Sequence, residues 1–220
     1  LKVLVIAPHP DDETLGAGGT LLRHIAAGDK VYWCIVTLAL EDSSQHFRST
    51  RMATVEQVSK AYGFADRFLL DYPAGSLDMV PMRGIVDDLV AIILKSEPDI
   101  VYCVSDADVN TDHDIVHRCA MVALKPAYVP SVKEVLLYEV PSSTNWAFPN
   151  KAARFEPDVY VNIEEVLEPK LRILSLFGPE VKEFPHPRSL QVVKSLAAYR
   201  GSSVNMAYAE AFQQVRRVIR

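Results

Sequence analysis

Cysteine is scarce: three in 220 residues, Cys34, Cys103 and Cys119. An odd number, widely spaced and set in apolar stretches, does not form the framework of a disulfide-stapled secreted domain, so all three read as reduced core residues. Basic runs are missing too. The formal net charge is −5, and no cluster of Lys or Arg stands out before the last turn of the chain. That excludes the footprint of a nucleic-acid binder and the polybasic patch that anionic membranes attract. No apolar run approaches the roughly 18 residues that span a bilayer, and no charged segment followed by a signal core opens the sequence. The expectation is a cytoplasmic protein with no nucleic-acid partner and no membrane insertion. Repeats, low-complexity tracts and linkers are also lacking, so residues 1–220 read as a single domain.

What is present is apolar content, 49% of residues, enough to bury a full core in one domain. The run "KVLVIA" is short, continuous and apolar, the type of strand buried on both faces. Further strands are expected in "KVYWCIVTLAL", "DRFLLDY", "DIVYCVS", "KEVLLYEVP" and "PDVYVNI". Between them lie segments of helical period: residues 16–27, residues 50–62 ending at Gly63, "MRGIVDDLVAIILKS", and a helix that follows "DADVN". The tail after Glu164 reads as mainly helical. This alternation predicts an α/β fold whose mostly parallel sheet is covered on both faces.

Between the first strand and the first helix stands "PHPDDE", residues 8–13, followed by Gly16, Gly18 and Gly19. Acids near a helix N-terminus meet unpaired N–H groups and the positive end of the dipole, which accounts for one or two of the three. It leaves His9 and its flanking prolines unexplained. The glycines lack the G-x-G-x-x-G spacing of a dinucleotide site, and Asp11, Asp12 and Glu13 would repel a pyrophosphate. Close packing of the helix on the sheet is the better account of them. Metal chemistry explains the crowding more fully: His9 and Asp12, separated by two residues, can converge on one ion, and a catalytic zinc site needs a third protein ligand and an open position. A second polar concentration, Asp106 to His117, also follows an expected strand end. In a parallel sheet all such ends lie on one edge, where ligands bind.

These residues resemble the LmbE/PIG-L family of metal-dependent N-acetylglucosaminyl deacetylases. "PHPDDE" with its glycine cluster, the later D-H pair opening a helix, Arg51 upstream of Gly63, and the tail "HPRS…YRG…AEAF" carry the likeness. The resemblance implies a Rossmann-like three-layer sandwich, metal ligands His9, Asp12 and His113, and Asp11 as general base. It further implies hydrolysis of the N-acetyl amide of an N-acetylated sugar or sugar conjugate, with Zn2+ or, alternatively, Fe2+ as the cofactor. Family members are often oligomeric, so a homo-oligomer is carried over as an expectation, although no stripe in the sequence marks its interface. Two other readings stay open: a metal hydrolase of a different small amide, and a non-catalytic metal-binding or nucleotide-binding module.

One departure matters. Many family members have a histidine three positions before the ligand His113, and this chain has Asn110, whose amide donates a hydrogen bond but supplies no proton. His186, fixed between two prolines, is expected to reach the open side of the metal and act as the electrophile or acid. Asp112 is expected to orient an imidazole from behind the ligands. Glu13 reads as a first-turn acid or a group supporting the site from behind rather than a ligand. Arg51 is expected to bind sugar hydroxyls with its multi-donor guanidinium. His117 is set aside as a fourth ligand because it would close the site to water, and His24 and His46 read as helix-surface and loop residues.

Overall fold

The computed structural model describes residues 1–147 and 154–219. The first run forms β1 (Lys2–Ala7), and every residue after Lys2 is buried, because the strand lies inside the sheet with side chains covered on both faces. There follow α1 (Asp12–Ala26), β2 (Lys30–Thr37), α2 (Gln45–Tyr62), β3 (Asp66–Tyr72), α3 (Met82–Ser96), β4 (Ile100–Val104), α4 (Thr111–Ala123), β5 (Glu134–Tyr138), β6 (Val159–Asn162), α5 (Leu167–Ser175), α6 (Leu190–Ser202) and β7 (Ala209–Arg217). One sheet holds all seven strands in the order β3-β2-β1-β4-β5-β7-β6. The first five are mutually parallel, and β7 runs antiparallel to both β5 and β6. Helices α3 and α4 pack together, while α1 packs with α2 and α5, and α5 with α6. The result is the three-layer α/β architecture expected. Among the described residues no helix is long and apolar enough to cross a membrane.

Three boundaries differ from the sequence reading. Helix α1 begins at Asp12, four residues before the first glycine, because the glycines are helical rather than part of a preceding loop. Helix α2 begins at Gln45, started by the Ser44 hydroxyl, which accepts the Phe47 N–H at 3.2 Å, so His46 stands in its first turn and not in a loop. The tail is helical through α5 and α6, then closes as a strand whose first residues, "AEAF", are buried. Gly63 does end α2, at φ 80°, in the left-handed conformation that a side chain disfavours. The glycines of α1 are spacers. A Cβ on Gly16 would stand 2.3 Å from the Tyr138 ring and one on Gly19 2.7 Å from Ile163.

The functional edge follows from topology. Chain order reverses between β1 and β4, adjacent parallel strands, and at such a switch point the loops leaving the carboxyl ends diverge around a crevice. The loop after β1 carries His9 to Asp11, and the loop after β4 carries Asp106 to Asn110.

Candidate metal centre

His9, Asp12 and His113, 104 residues apart at the extremes, meet at this crevice. His9 Nδ1 lies 3.1 Å from Asp12 Oδ2 and 3.2 Å from His113 Nε2, and His113 Nε2 lies 3.2 Å from Asp12 Oδ2. A tetrahedral ion with bonds of about 2.0–2.1 Å spaces its ligand atoms about 3.3 Å apart, so the triangle has the edge lengths of one tetrahedral face. The ring nitrogens that point away are tied down. His9 Nε2 meets Asp112 Oδ2 at 3.0 Å, and His113 Nδ1 meets Asp108 Oδ2 at 2.9 Å. With the outer nitrogens as donors, both rings turn a lone pair toward the triangle, the tautomer that a metal ligand requires. Asp12 Oδ1 and Asp11 Oδ1 are buried without a hydrogen-bond partner. Buried carboxylate oxygens are rarely left so, and among the described residues these two belong to the acid of the triangle and its neighbour.

Electrostatics separate the acids. Burial works against charge on Asp12, but the His113 and His9 imidazoles outweigh it and hold the carboxyl well below the usual range. Burial likewise opposes a charged His113, yet Asp12 and Asp108 raise it to about 10. Asp11 takes the opposite course. Burial, then the neighbouring charge of Asp12, pushes it up to about 7, against the pull of the Arg188 guanidinium. Glu13, fully buried, is pushed up to about 8 by the same desolvation.

Asp112 does sit behind an imidazole, that of His9, and its two oxygens also accept the N–H groups of Gly75 at 2.6 Å and Leu77 at 3.4 Å. Asn110 is the N-cap of α4: its Oδ1 accepts the Asp112 N–H at 2.9 Å, leaving the amide N–H groups as its donors. Arg51 donates to the Leu38 carbonyl at 3.1 Å and to Glu180. It lines a cavity of about 370 Å³ together with Pro10, Phe47, Phe177 and Pro179. His186 has its ring edge-on to Trp146 and its Nδ1 on the Arg188 N–H at 3.1 Å. His117 donates to the Val104 carbonyl, and His24, partly buried, bonds Asp29 and Tyr102. All three cysteines are free and buried.

Two residues of the site escape a reading of the sequence. Asp108 holds His113, and the available signal is chemical: each ligating imidazole needs an acceptor behind it, and Asp112 serves only one of the two. Arg188 comes from the same "HPRS" segment as His186, and its Nη1 lies 2.9 Å from Asp11 Oδ2 and 3.6 Å from Glu180, while Nε donates to Ser142 at 2.8 Å. The missing imidazole at Asn110 favours the histidine of that segment, whereas the group bonded to Asp11 is the guanidinium two residues on.

The chain is similar to several known proteins. The family described as PIG-L, GlcNAc-PI de-N-acetylase, matches residues 4–124, more than half of the chain, a span that holds every residue of the triangle. A probable N-acetyl-alpha-D-glucosaminyl L-malate deacetylase of Bacillus cereus is 28% identical over 185 residues, covering 78% of this chain and 80% of the relative. Diacetylchitobiose deacetylase of Thermococcus kodakarensis is 25% identical, over 97% of this chain and 83% of its own. The crystal structure of protein TT1542 from Thermus thermophilus superimposes with a TM-score of 0.80 at 26% identity, over 99% of this chain and 96% of that one.

Proposed function

This chain belongs to the PIG-L family of de-N-acetylases, and from that membership we propose that it hydrolyses the N-acetyl amide of an N-acetylated sugar or sugar conjugate, releasing acetate and a free amine. The observation that carries the reading is the pairing of a three-atom ligand face with a separate buried carboxylate, Asp11, beside it. A site that only bound metal would have no use for an acid beside the ligands that is not one of them.

His9, Asp12 and His113 hold the ion, zinc in this proposal, with iron(II) as the alternative the same donor set accepts. When bound, it supplies Lewis acidity toward the amide carbonyl and toward water. Asp11, raised toward neutrality, takes the proton of the attacking water as the new C–O bond forms, and returns it to the leaving nitrogen as the C–N bond breaks. Arg188 holds Asp11 through a charge-assisted hydrogen bond to its Oδ2. The Asn110 amide N–H and His186 are the remaining candidates for supporting the acyl oxygen, since their hydrogen bonds to the backbone of Asp112 and Arg188 use acceptor atoms and not their donors. Arg51 is the sugar-binding group, lining the cavity that Pro10 also borders.

The deciding experiment is acetate release from a panel of N-acetylhexosamine compounds, with chelator and then with Zn2+ or anaerobic Fe2+ restored. Metal-dependent release from at least one member is expected. A loaded enzyme inert on every sugar but active on another small amide would replace the substrate assignment.

A further inference from the structure

Asp11 stands at φ 136°, ψ −27°, a region that residues with a Cβ occupy only under constraint. It is the N-cap of α1, yet its side chain makes no capping hydrogen bond. The constraint is supplied two residues on. Glu13 Oε2 accepts the Asp11 backbone N–H at 3.2 Å, and Glu13 Oε1 accepts the Thr14 hydroxyl at 2.6 Å. The Tyr62 hydroxyl, at the end of α2, donates to Thr14 Oγ1 at 3.0 Å. All four residues are buried, and the Tyr62 and Thr14 hydroxyls form one connected series that ends on Glu13. Gly18 keeps the route open, because a Cβ there would stand 2.6 Å from the Tyr62 hydroxyl.

The consequence appears in the neighbouring acids. Asp12 turns its Oδ2 to the two imidazoles, while Asp11 turns its Oδ2 to Arg188. Consecutive side chains at a helix start already diverge by about 100°, and the positive φ of Asp11 further fixes the direction in which its carboxylate leaves the chain. We propose that Glu13, backed by Thr14 and Tyr62, is a positioning residue that holds Asp11 in its positive-φ backbone conformation and so keeps the Asp11 carboxylate off the ligand cluster and against Arg188. Glu13 reaches back to the N–H of the N-cap residue, as the returning acid of a capping box does, and here that residue is Asp11. The role rests on the assignment of Asp11 as the base.

The test uses the metal-loaded full chain. Glu13→Ala should lower kcat by about 10–100-fold, the scale of a misplaced catalytic group, with KM within about twofold and metal content unchanged. Glu13→Gln, which keeps an acceptor for the Asp11 N–H, should restore most of the activity. In an Asp11→Asn background, Glu13→Ala should cost nothing further, because the group it positions is already gone. A crystal structure of Glu13→Ala should show Asp11 at negative φ, with its carboxylate turned away from the Arg188 guanidinium. Unchanged kcat, an equal further drop in the Asp11→Asn background, or Asp11 still at its present φ would each overturn the proposal. Should Glu13→Ala fail to fold, Tyr62→Phe must give a reduction confined to kcat, and an unaltered kcat there overturns it as well. The crystallographic angle needs no substrate, so it separates failure of this inference from failure of the deacetylase reading.

Discussion

Removing Asp12 or His113 takes away a donor for which the triangle has no substitute, so Asp12→Ala and His113→Ala should lose metal and activity together, as elemental analysis would show. Full metal occupancy in either variant would contradict the ligand set. Asp11→Asn should part the two properties: the ion stays, since Asp11 lies outside the triangle, and turnover falls because an amide accepts no proton. Arg188→Ala should lower kcat by about 10-fold or more, in line with removal of a charge-assisted hydrogen bond to a working group, and Lys should recover little of an arrangement shared with Ser142. His186→Ala, whose neighbours are Trp146 and loop backbone, should cost less than Arg188→Ala. The reverse ranking in kcat would give the electrophilic role to His186. Arg51→Ala should raise KM more than it lowers kcat, because the residue lines the cavity and not the triangle.

Helix α1 connects the site to the far end of the chain. Glu210, on β7, accepts the backbone N–H groups of Gly19 and Thr20 and the Thr20 hydroxyl at 2.6–2.8 Å. Lys170, on α5, pairs with Glu210 at 2.7 Å and donates to the Leu15 carbonyl at 2.9 Å. Two buried charges thus stand beside the middle turns of the helix that carries Asp12. Glu210→Ala leaves the Lys170 ammonium buried without its counter-ion, a change that costs about 3–5 kcal/mol. Denaturant unfolding would measure it, and a cost below about 1 kcal/mol would show that water enters and solvates the lysine. Gly16→Ala should also destabilise, by about 1–3 kcal/mol from overpacking against Tyr138.

At the scale of the molecule, the carboxyl ends of the strands hold the chemistry and the opposite edge holds fold contacts. Asp99, just before β4, accepts the Lys2 N–H at 2.9 Å and the Lys133 ammonium at 2.6 Å, joining the starts of β1, β4 and β5. The Lys133 ammonium, then the Lys2 N–H, hold its carboxyl below the usual range. A depressed folded pKa contributes stability above the unfolded value, near 4, and loses it as pH falls through the folded value. Asp99→Asn should therefore be less stable than the wild type at neutral pH, with the gap closing below about pH 4. A gap that persists unchanged in acid would assign the effect to packing.

Most strands and helices before the tail were legible: burial on both faces leaves a continuous apolar run in β1, and "DRFLLDY" and "MRGIVDDLVAIILKS" correspond to β3 and α3 residue for residue, whereas β7 was read as helix. His9 and Asp12 were legible as ligands because one turn of chain brings them together. His113 and Asp11 came from a family likeness, and the parallel sheet explains how His113 arrives: β1 and β4 are neighbours, so their loops share an edge. The start of α1 was hidden because glycine-rich stretches have low helix propensity, and only Tyr138, Tyr62 and Ile163 pressing on those positions account for them. Asp108, Arg188 and the support of Asp11 by Glu13 were equally hidden. Each depends on the direction of a side chain or a backbone angle set by distant packing, and residue types along a line carry no such directions. Local chemistry therefore named the donors and the family likeness divided the roles of the two acids, while the tertiary structure decided what each acid faces: Asp12 the two imidazoles, Asp11 the Arg188 guanidinium, because distant packing sets those directions.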